Sequence, residues 1–248
     1  MPGRRPLLKA CLNGARPAGA LVGLPVTPSE VARDALAVWE VGAGAVHVHP
    51  RDAEGRERLD AATIGATVSA IRALVSGLPI GVSTGDWIET DAQARLELVR
   101  SWHVLPDFAS VNLHEEGAVA LAELLIERGV GVEAGLWTVE AAEVLVGSAT
   151  APRCLRTLIE PRSIDPAEAL RTADAIGAVL DRAGNDLPRL LHGRREGAWG
   201  VLRAALDAGL DLRIGLEDTS TLPDGSEARS NADLVAAAVR LIQGGPGR

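Results

Sequence analysis

Aromatic side chains are nearly absent from this chain, which has no tyrosine, one phenylalanine and five tryptophans. Its core must therefore be packed from Val, Leu, Ile and Ala, and such branched residues suit the buried strands of a parallel sheet. Cysteine is just as scarce, with Cys11 and Cys154 in separate apolar runs. Two isolated thiols do not make a disulfide scaffold; they are expected as inert, buried side chains in a reducing compartment, the cytoplasm. No basic run follows the first few residues and the formal net charge is −8, which argues against a nucleic-acid partner. No apolar run approaches the roughly 18–20 residues of a membrane span. Met1-Pro2-Gly3-Arg4-Arg5-Pro6 carries charge without the apolar segment and cleavage site of a secretory signal. What remains is 248 residues of ordinary globular composition, 47% hydrophobic and 23% charged.

Strand-like and helix-like runs alternate from end to end. Thr27-Pro28-Ser29-Glu30 reads as a helix start, with Thr27 as N-cap, Pro28 at N1 and Glu30 closing a capping box. Asp165-Pro166-Ala167-Glu168 repeats the pattern, and Ser230-Asn231-Ala232-Asp233 caps a last helix. Strands are expected at Leu7–Leu12, within 44–52, at Pro79–Gly85, Phe108–Leu113, Val130–Trp137, Leu155–Glu160, Pro188–His192 and Leu210–Leu216. Eight strand–helix units of about 30 residues each predict a (β/α)8 TIM barrel spanning 1–248 as a single domain. An open doubly wound sheet is the alternative topology.

Gly44-Ala45-Val46-His47-Val48-His49-Pro50-Arg51-Asp52 is the most informative stretch. Successive strand side chains point to opposite faces, so His47 and His49 share one face, roughly 6–7 Å apart along the strand. That spacing suits two ligands of one cation, which binds neutral imidazole and removes the repulsion between two protonated rings. Two partly exposed histidines at a strand end are the plainer alternative.

In a barrel of this kind the active-site groups lie at the C-terminal strand ends. Those ends supply Asn13, His47, His49, Ser83, Thr84, Asn112, Glu133, Glu160, His192, Arg213, Glu217 and Asp218. Two His and one carboxylate with open positions make a catalytic Zn2+ site, and the same set also fits Fe2+. Adjacent carboxylates do not both bind cheaply, so a division of labour is chemically sensible, with Glu217 as ligand and Asp218 as base paired to Arg213; an exposed acidic pair capping the strand is the plainer alternative. Glu133 and Glu160 are either acid/base groups or partners of Arg156, Arg162 or Arg194. His192 is either a substrate group or structural, His103 and His114 are expected at the surface, and Trp87, Trp137 and Trp199 either line the mouth or pack beneath loops.

Asn13-Gly14-Ala15, Pro25–Glu30, Gly42–Asp52, Ser83-Thr84-Gly85, Arg213–Asp218 and Ser230–Val235 together resemble the β-keto acid cleavage enzymes, most specifically in the H-x-H-x-R-D and R-x-G-x-E-D blocks. The resemblance implies a Zn2+-dependent TIM barrel, usually a homo-oligomer, that exchanges a β-keto acid with acetyl-CoA to give acetoacetate and a new acyl-CoA. It implies His47, His49 and Glu217 as metal ligands, Asp218 as the base that forms the enolate and Arg213 as the group that orients it. Ser83 matches a contact to the substrate carboxylate, and Ser110 falls where the family has a Thr near the reacting carbonyl. Arg16 stands where a family member with an amino-bearing substrate has a Glu, so an anionic or neutral tail is expected. Asn13, Thr84, Asn112 and Glu133 complete the expected substrate shell, and Arg194 and Arg195 either meet CoA phosphates or form a solvated loop. Leu113-His114-Glu115-Glu116, Gly135 and Glu160-Pro161-Arg162-Ser163 depart from the family pattern in the middle loops. Two other readings are a metal-assisted hydrolase or lyase without CoA and a binding barrel that kept its metal without turnover.

Overall fold

The computed structural model describes residues 6–244. The charged N-terminal stretch read above as lacking a signal falls, but for Pro6, outside the described residues. Eight parallel strands close into a barrel in sequential order: β1 (Leu8–Cys11), β2 (Ala45–Val48), β3 (Ile80–Ser83), β4 (Phe108–Asn112), β5 (Gly131–Leu136), β6 (Arg156–Ile159), β7 (Arg189–Leu191) and β8 (Asp211–Ile214). The helices between and after them are α1 (Pro28–Glu40), α2 (Ala61–Leu74), α3 (Ala92–Arg100), α4 (Ala118–Glu127), α5 (Val139–Val146), α6 (Pro166–Arg182), α7 (Ala198–Asp207) and α8 (Asn231–Gly244). Each strand lies within a residue or two of its expected position. The capping box at Thr27 and Glu30 is formed, and Asp60, Asp91, Thr138 and Asp165 each accept a hydrogen bond from the first turn of their helix. No helix among the described residues is long and apolar enough to cross a membrane.

Register explains how so few large apolar residues build a core. Paired positions in a parallel ladder share a face, and one face carries Ala10, Val46, Ile80, Val82, Ala109, Val132 and Leu212 against the helices. The opposite face closes the barrel interior and is largely polar. There Lys9 aligns with Arg213, Cys11 with His47, Ser83 with Ser110, and Glu133 with Arg156. Lys9, fully buried, pairs with the equally buried Glu133; Arg156 Nε lies 3.3 Å from Glu133 and its Nη1 donates to Asp211 at 3.3 Å. Phe108, the single phenylalanine of the chain, fills the space left by Gly81, where a Cβ would come 1.9 Å from its ring. Cys11 and Cys154 are free and buried.

Asn231, at the start of α8, ties the two ends of the barrel seam together. Its Oδ1 accepts from Leu216 N at 2.6 Å, while its Nδ2 donates to Leu12 O at 2.8 Å and to Asp34 at 2.6 Å. Burial raises Asp34 to about 7, against the hydrogen bond from Asn231. The folded state thus keeps a proton that the unfolded chain releases from about pH 4 upward. Stability from this group is expected to fall as pH rises from about 4 to 7 and then level off. Asp34→Asn should flatten that slope, a difference of roughly 2 kcal/mol at pH 8 after allowance for solvent. Urea unfolding of both proteins at pH 5 and pH 8 checks it; parallel behaviour would contradict the assignment.

Candidate metal centre and active site

The alternation of β2 puts both histidines on the interior face. They are buried, with ring centroids 5.1 Å apart and planes at 80°. Glu217, three residues past β8, joins them: one ligand atom from each of His47, His49 and Glu217 lies within 4.8 Å of the others. Two glycines make that approach possible. A Cβ at Gly215 would lie 2.0 Å from the Cys11 carbonyl oxygen, so only glycine lets the end of β8 press onto β1. Gly14, at φ +56°, leaves the space through which the Glu217 side chain passes; a Cβ there would meet its Cγ at 2.3 Å.

Each ligand is held by further groups. Asn13 accepts from His49 N at 2.9 Å and donates to His49 O at 3.1 Å, clamping the backbone of the second histidine. Glu57 lies 2.7 Å from His49 Nδ1 and also accepts from Trp87 Nε1 at 3.1 Å, and the Trp87 ring stacks over His49 at 6.1 Å. A carboxylate on Nδ1 fixes the tautomer and aims Nε2 into the cavity, 3.7 Å from Glu217. Glu57 reaches this position through a short antiparallel bridge between Arg51 and Glu57.

The electrostatics fit a cation. Burial holds the His47 imidazole well below its usual value, hence neutral, and its Nδ1 has no hydrogen-bond partner. Oε2 of Glu217 is equally orphaned and buried. Burial opposes charge on Glu217, but Arg213, His49 and His47 hold it well below the carboxylate range. Burial also opposes protonation of His49, yet Glu217 and Glu57 push it up to about 9. A proton and a metal ion therefore compete for the same donors, and the unsatisfied atoms of His47 and Glu217 match what a divalent ion requires.

Beside the triad, Arg213 holds Asp218 through Nε at 3.2 Å to both carboxylate oxygens and Nη2 at 2.8 Å to Oδ1, and it also bonds Glu217. His192 bridges two acids, with Nδ1 3.5 Å from Asp218 and Nε2 3.2 Å from Glu160. Glu160 sits 2.8 Å from Arg162; burial opposes its charge, but His192, Arg213 and Arg162 keep it ionised.

These groups open onto a cavity of about 380 Å³ that Arg16, Ser83, Ser110 and Asn112 also line, with Trp87 and Trp137 at its sides. Asn13, Thr84 and Glu133, expected in the substrate shell, do not line it. Asn13 holds the His49 backbone, Thr84 faces away and donates to Ser110 O at 2.7 Å, and Glu133 is consumed by Lys9 and Arg156. Trp199 packs below, donating to Thr221 O at 2.8 Å. His103 and His114 are exposed as expected. Glu57 is the site residue that sequence reasoning missed. The Asp52–Gly55 turn, with Gly55 at positive φ, was the available signal that the chain doubles back.

Residues 7–144 and 167–245 match the family model described as beta-keto acid cleavage enzyme. Among curated proteins, the 3-keto-5-aminohexanoate cleavage enzyme of Fusobacterium nucleatum subsp. nucleatum is 24% identical over 244 residues, covering 89% of this chain and 84% of the relative. That of Acetoanaerobium sticklandii is 22% identical over 238 residues, covering 89% and 85%. Among solved structures, the ternary complex of ObcA with a C4-CoA adduct and oxalate superposes with a TM-score of 0.71 at 17% identity. It covers 89% of this chain, which spans only 64% of ObcA. At that identity the likeness is one of fold.

Glu57→Gln should weaken binding of a divalent ion, with Zn2+ as the probe, by about 10–100-fold, as loss of a carboxylate on a ligand imidazole generally does. Gly14→Ala should weaken it further by displacing Glu217. Competition titrations against a chromophoric chelator check both, with circular dichroism to confirm folding; wild-type affinity in folded Glu57→Gln would contradict the positioning role.

Proposed function

The chain belongs to the beta-keto acid cleavage enzymes, and we propose from that premise that it is a Zn2+-dependent enzyme exchanging acyl groups between a β-keto acid and acetyl-CoA. The products are acetoacetate and a new acyl-CoA. The observation that carries the reading is the adjacency of Glu217, in the candidate triad, to the Arg213–Asp218 pair on the same cavity wall. A metal site and a base thus face one space.

His47, His49 and Glu217 would hold the ion, and Zn2+ is the assignment for two imidazoles and a carboxylate with open positions. When bound, the ion draws negative charge onto the oxygens of the keto acid and so lowers the cost of removing the adjacent proton. Asp218 takes that proton from the carbon between keto and carboxylate groups. Arg213 fixes the direction of the carboxylate through three hydrogen bonds and prevents it from becoming a further ligand. The carbon nucleophile then displaces CoA thiolate from acetyl-CoA; the thiolate attacks the original keto carbon, the bond between the two fragments breaks, and the carbanion left on the acetoacetate fragment takes back the proton held by Asp218. Ser83 and Ser110 line the wall opposite β8 and supply hydroxyl donors to substrate oxygens.

Arg16 lines the cavity where a Glu would be needed to hold an amino group, which favours a substrate without one. The solved complexes of ObcA with oxaloacetate and with a C4-CoA adduct support the choice of keto acid and CoA as partners.

Incubation of the zinc-loaded protein with β-keto acids and carbonyl-labelled acetyl-CoA should yield labelled acetoacetate. Asp218→Asn should lower the rate by about 10²–10⁴-fold, the usual worth of a positioned base. Unlabelled acetoacetate, or a wild-type rate in Asp218→Asn, would contradict the mechanism.

A further inference from the structure

The cavity carries more positive charge than the reaction needs. Five guanidiniums line it, those of Arg16, Arg162, Arg194, Arg195 and Arg213, against three carboxylates, those of Glu160, Glu217 and Asp218. All three acids are already engaged: Glu217 and Asp218 with Arg213, and Glu160 with Arg162 and His192. Among the described residues, Arg194 and Arg195 make no side-chain hydrogen bond or ion pair, and Arg16 uses only Nε, on the Leu216 carbonyl at 2.5 Å. Unpaired arginines around a cavity are unexpected in a chain of net charge −8.

The chain holds these residues in place deliberately. Arg51, buried, donates to the carbonyls of Gly14 and Arg16 at 2.7 and 2.5 Å, which fixes the loop carrying Arg16. On the other side of β8, Arg195 is the one non-glycine residue with positive φ among the described residues, at +50°. That turn lets its N–H donate to the Asp218 carbonyl at 2.6 Å. Backbone in this region costs energy and persists where neighbouring contacts enforce it. Burial first, and then the charges of Arg162 and Arg195, hold Arg194 below its ordinary value, against the opposing pull of Glu160 and Asp218.

From this arrangement we infer that the substrate is a β-keto diacid, its second carboxylate held by Arg16, Arg194 and Arg195. The inference rests on the cleavage reading above, in which the first carboxylate lies with the keto group beside the metal ligands. The loop bearing Arg194 and Arg195 is fastened to the main chain of the base itself. An anion gripped there is therefore close to the reacting carbon, as the tail of a short diacid is. The phosphates of CoA, at the far end of the pantetheine arm, are the other source of negative charge.

The test compares 3-oxoadipate with 3-oxohexanoate, which have the same length and differ only in the terminal carboxylate. The wild-type enzyme should prefer the diacid in kcat/KM by at least about 100-fold, the range of charge-assisted bidentate pairs. Arg194→Ala and Arg195→Ala should raise KM for the diacid and shrink that preference at least tenfold, and Arg195→Lys should restore part of it. Equal use of the two acids, or a rise confined to KM for acetyl-CoA, overturns the inference. Calorimetry with the unreactive adipate and hexanoate separates it from the cleavage reading. If neither keto acid is cleaved, that reading fails, while adipate binding that is lost in Arg194→Ala upholds the diacid site and absent adipate binding sinks it.

Discussion

One guanidinium shared by two carboxylates organises the end of the barrel. Arg213 is buried, and a charge in that position is tolerable only with opposite charge in good geometry around it. Glu217 and Asp218 supply that charge, and the sharing separates their roles. Asp218 accepts three of the four hydrogen bonds that Arg213 donates to the pair, and Glu217 accepts the other. Glu217 keeps one oxygen without a partner, and a carboxylate oxygen of Glu217 lies within 4.8 Å of a ring nitrogen of both His47 and His49. Gly215 and Gly14 are the steric conditions for this arrangement, since a methyl group at either would displace β8 or Glu217.

The rest of the interior follows from the same economy of charge. With almost no aromatic residues, the apolar packing is concentrated between sheet and helices, and the inside of the barrel is largely ionised and polar, with Phe108, Leu158 and Leu190 as its large apolar groups. Lys9, Glu133, Arg156 and Asp211 form a connected ionic layer. Such groups contribute little net stability compared with apolar replacements, but removing any single member leaves a buried charge uncompensated. The site is therefore built on a base whose geometry is fixed by mutual charge neutralisation. Arg16, Arg194 and Arg195 line the cavity without a carboxylate partner among the described residues, and they are the groups an anionic substrate would meet.

The fold was legible because its signals are local. Caps at Thr27 and Asp165, proline at N1 and eight apolar runs at regular spacing each declare an element without reference to the rest of the chain. His47 and His49 were legible for the same reason, since period two is enough to put them on one face. Thr84 shows where that rule should have been applied more strictly: with Ser83 facing inward, its neighbour has to face out. Glu133 does face inward, but Lys9 and Arg156 take its carboxylate, and they meet it only when β1, β5 and β6 are brought together by barrel closure. Glu57 was hidden because it depends on a two-residue bridge in a loop. Asn13 has the right position and a different task, holding backbone in place of substrate.

Metal content of the purified protein bears most directly on the centre of this picture. Wild-type protein, His47→Ala and Glu217→Ala would be loaded with Zn2+, passed through a desalting column and measured by elemental analysis. Close to one Zn2+ per chain in wild type, and its loss in both variants while they remain folded, is the expected result. Wild-type protein that takes up no divalent metal, or variants that bind it as tightly as wild type, would contradict the assignment of His47, His49 and Glu217 as a metal centre.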